Sequence, residues 1–203
     1  MSGERRMRMR KIGLLGGTFD PVHYGHLLAA ESAMEAAGLD GVWFVPTSAP
    51  PHKPGPGAEG RHRRGMLEAA IAGRPGFRVE DIELRRGGTS YTIDTVVALQ
   101  EREPDAAFYW IAGSDMVMDL PNWREIERLA ERVAFIGLER PDRACAESEL
   151  PGFIRSRLVR ATMPAMGISS TDIRRRTRES RSIRYMLPDP VVDYIRRNGL
   201  YES

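Results

Sequence analysis

Short apolar runs alternate with amphipathic stretches along most of the chain. "KIGLL" reads as a buried strand, and the alanine-rich "GHLLAAESAMEAAG" after it as a helix stopped by Gly38. "GVWFVP" predicts a second strand and "RHRRGMLEAAIAG" a second helix closed by Gly73. "FRVEDIEL" alternates like a strand with one wetter face, and "YTIDTVVALQERE" has helical spacing. "AFYWIAG", "VAFIGLE" and the short "RLVRA" predict strands four to six, with the helical "WREIERLAER" between the first two. Such βα alternation predicts a doubly wound α/β fold, a parallel sheet with helices on both faces. After Met166 only helical segments follow, "STDIRRRTRES", "SIRYM" and "PDPVVDYIRRNG". Residues 167–203 are therefore expected to form a small C-terminal helical appendage on one 11–203 domain, with residues 1–10 a basic tail outside the fold.

Length supports that division, because 203 residues suit one domain with a substantial core. With 41% hydrophobic and 29% charged residues, the composition is that of a soluble globular protein. No apolar run approaches the roughly 20 residues that span a bilayer. "MSGERRMRMRK" leads into only a short apolar stretch and does not read as a secretory signal, so a cytoplasmic location is expected. A single cysteine, Cys145, excludes an intrachain disulfide or a cysteine-based zinc cluster. Net charge is only +2, too balanced to announce nucleic acid, although arginines cluster at 61–64, 174–181 and 196–197. Two Pro/Gly-rich stretches, "PTSAPPHKPGPGAEG" and "ERPDRACAESELPG", interrupt the alternation. The first is too long and too basic for a mere connector.

In open α/β sheets, ligands bind where the carboxyl ends of strands lead into helix N-termini. "LLGGTFDPVHYGH" occupies such a place, with Gly16 and Gly17 ending the first predicted strand and leaving backbone N–H groups accessible. The stretch is neither G-x-G-x-x-G nor a P-loop. His23 and His26 fall at the next helix entry, on one face, where free amides and the helix dipole favour an anion. Imidazole donors there suit a nucleotide triphosphate better than a metal, which would want a third ligand that no nearby residue supplies. One histidine capping the helix and the other facing solvent is the plainer alternative. Near the other end, Ser169 stands three residues before Asp172, a helix-opening pattern. Ser169, Ser170 and Thr171, with Arg174 one turn on, would also offer donors to phosphates. Lys53 is a point charge on the first Pro/Gly-rich stretch, suited to closing over phosphates.

"GGTFDPVHYGH" resembles the H-x-G-H signature of the nucleotidyltransferase superfamily that includes class I aminoacyl-tRNA synthetases, and "GISSTDIRRR" resembles its second signature. "PPHK", "SYTIDTV", "GSDMVMDLPNW" and "YMLPDPVVDYIRRNGLY" narrow the resemblance to the bacterial nicotinate-nucleotide adenylyltransferase family, over nearly the whole chain from Lys11. The resemblance implies a Rossmann-like nucleotidyltransferase fold and adenylyl transfer from ATP to nicotinate mononucleotide in NAD biosynthesis. It implies ATP contacts from Gly16, Gly17, Thr18, Phe19, His23, His26, Ser169, Ser170, Thr171 and Arg174, with His23, His26, Lys53 and Arg174 the catalytic set. For the mononucleotide it implies Thr89, Tyr91 and Thr92 at the third helix entry, Asp115 on a ribose hydroxyl and Trp123 stacked on the pyridine ring. As a bare pattern, Asp115 serves equally as a helix cap and Trp123 as a packing residue. Three positions depart from the family: Ser114 for alanine in G-A-D, Arg124 for histidine or lysine, and Asp142 for glycine after "RP".

A phosphate nucleophile is already anionic, so the implied reaction needs alignment and charge stabilisation rather than a general base. Mg²⁺ is expected on phosphates and water, with no protein metal ligands. Nicotinamide mononucleotide or phosphopantetheine are the alternative acceptors, and a non-catalytic nucleotide sensor is a competing class. Partners are the two nucleotides, without nucleic acid or membrane, and a homo-oligomer is left open.

Overall fold

The computed structural model describes residues 8–49, 57–139 and 146–202. Six strands, β1 (Arg10–Gly17), β2 (Gly41–Pro46), β3 (Phe77–Val79), β4 (Ala106–Gly113), β5 (Ala134–Glu139) and β6 (Leu158–Thr162), form one parallel sheet in the order β3-β2-β1-β4-β5-β6. Helices α1 (Tyr24–Ala37), α2 (Gly60–Ile71), α8 (Ser170–Arg178) and α9 (Asp189–Arg197) cover one face. The other carries α4 (Thr92–Arg102), α6 (Ile126–Arg132) and α7 (Gly152–Arg155). Short helices α3 (Ile82–Arg86) and α5 (Ser114–Asp119) complete the set.

The period-2 alternation of strand side chains builds two cores. Trp43 and Val45 of β2 and Phe108 and Trp110 of β4 face α4 and α6, where Val96, Leu99 and Leu129 are fully buried. Val42 and Phe44 of β2, Ile111 of β4 and Ile136 of β5 face α1 and α2. Val191, Val192 and Ile195 of α9 enter that second core, so the C-terminal helices close it rather than hang from it. Helix α9 approaches α2 at Gly65, where a Cβ would lie 2.5 Å from the Tyr194 hydroxyl.

Three elements differ from the sequence pattern. "FRVEDIEL" is strand only over Phe77–Val79 and then turns into α3. The turn back has local causes, an Asp81–Arg85 pair one helical turn apart and Arg85 and Arg86 in the last turn before Gly87. "SIRYM" is no helix: Arg184 and Leu187 form a bridge around Tyr185, whose φ is 67°. Pro188 follows immediately, and the residue before a proline is pushed out of the helical region. Helix α6 starts at Ile126 rather than Trp123, because Glu125 adopts a left-handed φ of 52°. The basic tail also joins the fold before residue 11: β1 begins at Arg10, and Arg8 already pairs with Asp40.

Candidate active site

Strands β1 and β4 are neighbours, and the chain order runs outward from them in both directions. That reversal opens a crevice above their carboxyl ends, where ligands of open α/β sheets bind. A cleft of about 320 Å³ occupies it, lined among others by His23, His26, Asp115, Ser169 and Ser170. A wider depression of about 770 Å³ lies over α2, but its arginines are already engaged: Arg64 and Arg85 both pair with Asp81. None of the signature residues lines it, whereas four of them line the smaller cleft, His23, His26, Ser169 and Ser170.

The turn from Thr18 to Pro21 joins β1 to α1, and side chains from distant elements hold its carbonyls. Arg63 of α2 donates to the Thr18 oxygen at 2.8 Å, Arg174 of α8 to the Asp20 oxygen at 2.6 Å, and the Ser170 hydroxyl to the Pro21 oxygen at 2.9 Å. Ser170 and Pro21 are 149 positions apart in sequence. These bonds bring the two signature segments against each other.

His23 is the N-cap of α1 and 7% exposed, and its ring stacks on His26 at 3.8 Å between centroids. The His23 amide donates to His26 Nδ1 at 3.3 Å. With Nδ1 accepting, the neutral His26 ring carries its proton on Nε2, which is left as a donor. Burial holds the His23 imidazole down to about 4, and burial together with the neighbouring His23 holds His26 down to about 3. Both rings are therefore neutral donors at working pH before an anion arrives. Neither reduces to the plain cap-and-solvent arrangement, since both line the cleft.

At the opposite wall, Ser169 caps α8 by accepting from the Asp172 amide at 3.1 Å. The Asp172 carboxylate turns away to Arg175 and Arg176, so the reciprocal half of a capping box is not made. Thr171 stands in the first turn of α8, 3.5 Å from an Arg174 amino group. The Arg174 side chain is 27% exposed, with one amino group engaged inward on the Asp20 carbonyl and the other beside the Thr171 hydroxyl.

Other expected residues separate into different roles. Phe19 is 1% exposed, wedged edge-on against His26 and Phe44, so its ring belongs to the core and only its backbone can meet a nucleotide. Gly16 is required by packing inside the protein, since a Cβ there would lie 2.7 Å from the Trp110 ring. Asp115 sits in the first turn of α5 on the cleft rim, while Gly113 takes the N-cap position. Thr89, Tyr91, Thr92 and Trp123 do not line the cleft. Thr89 is exposed and bridged to Ala49, and Thr92 opens α4. Half-buried Trp123 meets Trp110 edge to face at 6.1 Å, and Arg124 lies 4.5 Å over the Tyr91 ring. This second cluster adjoins the first through Trp110, which touches Gly16. Lys53, Arg140, Asp142 and Cys145 lie outside the described residues.

Sequence reasoning missed Asp20 and Arg63. Asp20 is 3% exposed; its carboxylate accepts from the amides of Gly57 and Ala58, at 2.7 and 3.1 Å, and from the Tyr201 hydroxyl at 2.6 Å. Arg63 is 1% exposed and also donates to the carbonyls of Thr47, at 2.7 Å, and Ala58, at 3.2 Å. A signal existed: Arg63 stands in register with Met66, Leu67 and Ile71, the buried face of α2.

The family model described as Cytidylyltransferase-like matches residues 14–176. A Bacillus subtilis (strain 168) protein named nicotinate-nucleotide adenylyltransferase is 42% identical over 196 residues, 96% of this chain and 100% of its own length. An Oceanobacillus iheyensis protein named probable nicotinate-nucleotide adenylyltransferase is 44% identical over 193 residues, 95% of this chain and 97% of its own. Among solved structures, Plasmodium falciparum nicotinic acid mononucleotide adenylyltransferase complexed with NaAD shares the fold, with a TM-score of 0.76 at 24% identity, over 95% of this chain and 98% of that one.

Proposed function

The chain belongs to the nicotinate-nucleotide adenylyltransferases, and from that premise we infer that it transfers the adenylyl group of ATP to nicotinate mononucleotide. The products are nicotinate adenine dinucleotide and pyrophosphate, a step in NAD biosynthesis. The observation that carries the site assignment is the cleft at the β1/β4 switch point, with neutral imidazole donors on one wall and the α8 N-terminus on the other.

A 5'-phosphate oxygen of nicotinate mononucleotide attacks the α-phosphorus of ATP in line. The bond from that phosphorus to the bridging oxygen breaks, and pyrophosphate leaves with the electron pair. No proton has to be removed from the nucleophile, so the residues act by alignment and by stabilising charge. His26 Nε2–H and the His23 ring donate to phosphate oxygens, and those bonds strengthen as charge moves toward the bridging oxygen. Amides of the first α8 turn, the Ser169 hydroxyl and the outward part of Arg174 receive the outer phosphates. Trp123, braced by Trp110, offers a platform for the pyridine ring, with Asp115 near a ribose hydroxyl and Thr89, Tyr91 and Thr92 around the nicotinate carboxylate. A Mg²⁺ ion carried on the triphosphate would neutralise phosphate charge there; among the described residues no group of three His, Cys, Asp or Glu side chains lies together.

The test is pyrophosphate release with ATP, Mg²⁺ and, in turn, nicotinate mononucleotide, nicotinamide mononucleotide and phosphopantetheine. Release is expected with the first, and His26→Ala is expected to lower kcat by about 10²–10³, the loss typical of one transition-state donor. A folded His26→Ala enzyme with wild-type turnover, or no release with any acceptor, overturns the reading.

A further inference from the structure

Next to the last described residue, Tyr201 reaches back across the molecule. Its hydroxyl donates to Asp20 Oδ1 at 2.6 Å, a link spanning 181 positions. Burial and the adjoining carboxylate raise the phenol well above its ordinary range, so it is a permanent donor. Left-handed, non-glycine backbone occurs at Tyr201 itself and at the residue before Asp20. Tyr201 has a φ of 66°, and Phe19, just before Asp20, has a φ of 50°. Such conformations are unfavourable for side chains of this size and persist only where surrounding structure imposes them.

Asp20 is the shared point of this region. Besides Tyr201, its carboxylate gathers the amides of Gly57 and Ala58, and it lies 3.7 Å from Arg174 NH1. The same Arg174 nitrogen donates to the Asp20 carbonyl at 2.6 Å, while the second amino group lies 3.5 Å from the Thr171 hydroxyl at the start of α8. Arg63 holds the turn from beneath through the Thr18 carbonyl. We propose that Tyr201 is a positioning residue for the triphosphate side of the site: by holding the Asp20 carboxylate, it fixes the main chain against which Arg174 is aimed. Tyr201 touches no substrate in this scheme and acts only through Asp20. The C-terminal residues thereby become part of the machinery that binds ATP. The proposal rests on the reading of Arg174 as a phosphate ligand, so its test separates the two.

Equilibrium binding is measured for Mg·ATP alone and for nicotinate mononucleotide alone, on wild type, Tyr201→Phe, Arg174→Ala and the double variant. Without the second substrate there is no turnover, so affinity is read directly. Phenylalanine keeps the ring where Tyr201 packs against the core and removes only the hydroxyl. Tyr201→Phe is expected to weaken Mg·ATP roughly five- to tenfold, within the range of an ordinary net hydrogen-bond contribution. Nicotinate mononucleotide affinity stays within about twofold in the same comparison, because its cluster does not depend on Asp20. In the Arg174→Ala background the Tyr201→Phe effect on ATP shrinks below about twofold, since coupled residues are non-additive. Unchanged ATP affinity in Tyr201→Phe overturns the proposal, as does equal weakening of both nucleotides or an effect of undiminished size without Arg174. Unchanged ATP affinity in Arg174→Ala removes the phosphate reading of that residue, and this proposal with it.

Discussion

His23 and His26 show how much a residue's meaning depends on its immediate surroundings. Their spacing, H-x-x-H, is shared by metal sites and helix caps, but the Nδ1 of His26 is occupied by a backbone amide and both rings are held neutral. The stability consequence has a definite sign. An unfolded histidine titrates near 6.5, whereas these fall to about 4 and about 3 when folded. Below pH 6.5 the unfolded chain therefore binds more protons than the native one, and stability declines as pH falls toward those lower values. Above pH 6.5 the two residues contribute no slope. We expect the His23→Asn/His26→Asn variant to lose less stability than wild type between pH 7.5 and pH 5 in urea denaturation; identical losses would refute the neutral assignment. Among the candidates, His23, His26, Ser169, Ser170 and Arg174 stood out in the sequence because each carries donors in a recognisable local pattern. Asp20 did not, because a lone aspartate before a proline has no local mark, and Arg63 carried only its place on the apolar face of α2, inside a run of basic residues. Their roles come from acceptors and donors supplied by segments far along the chain.

Element by element, the strongly periodic segments were readable and the short, charged ones were not. The apolar runs of β1, β2, β4 and β5 admit no other burial, since each faces helices on both sides. "FRVEDIEL" misled because its alternation satisfies a strand, while the pair Asp81–Arg85 favours a helical turn. The arginine-rich α8 is a solvated ion-pair face: Arg175 joins Asp172 and Glu179, and Arg176 joins Asp172. Two arginines of the dense run are thus engaged within the helix. Helix contacts decide one substitution against ordinary propensity. Gly65 lies inside α2, where alanine would normally gain about 1 kcal/mol. Its absent side chain is instead the space taken by Tyr194, whose hydroxyl also meets His62 at 3.3 Å. Gly65→Ala is expected to lose roughly 1–3 kcal/mol through overpacking, measured by denaturant midpoint, and a stabilised variant would contradict the α2–α9 packing.

Over the whole molecule, the cleft is a joint between the turn after β1 and the C-terminal helical segments. His23 and Ser170 line one cleft, Ser170 holds Pro21, and Tyr201 holds Asp20. A ligand seated there stabilises the N-terminal turn and the C-terminal helices together. At about 100 times its Kd, Mg·ATP adds roughly 2.7 kcal/mol, or about 5–11 °C in Tm for a domain of this size. The unfolding transition is expected to stay single as it moves up, and a ligand-induced splitting into two transitions would show that the ends are not coupled. No helix of the described residues is long and apolar enough to cross a membrane. The sequence by itself determined the parallel α/β sheet and the two donor-bearing segments, because periodicity, caps and glycine turns are local properties of consecutive residues. Only the tertiary structure decided that those segments face each other, that Phe19 turns inward, and that Asp20 is the common anchor. Each of these depends on which distant groups fill the same few ångströms.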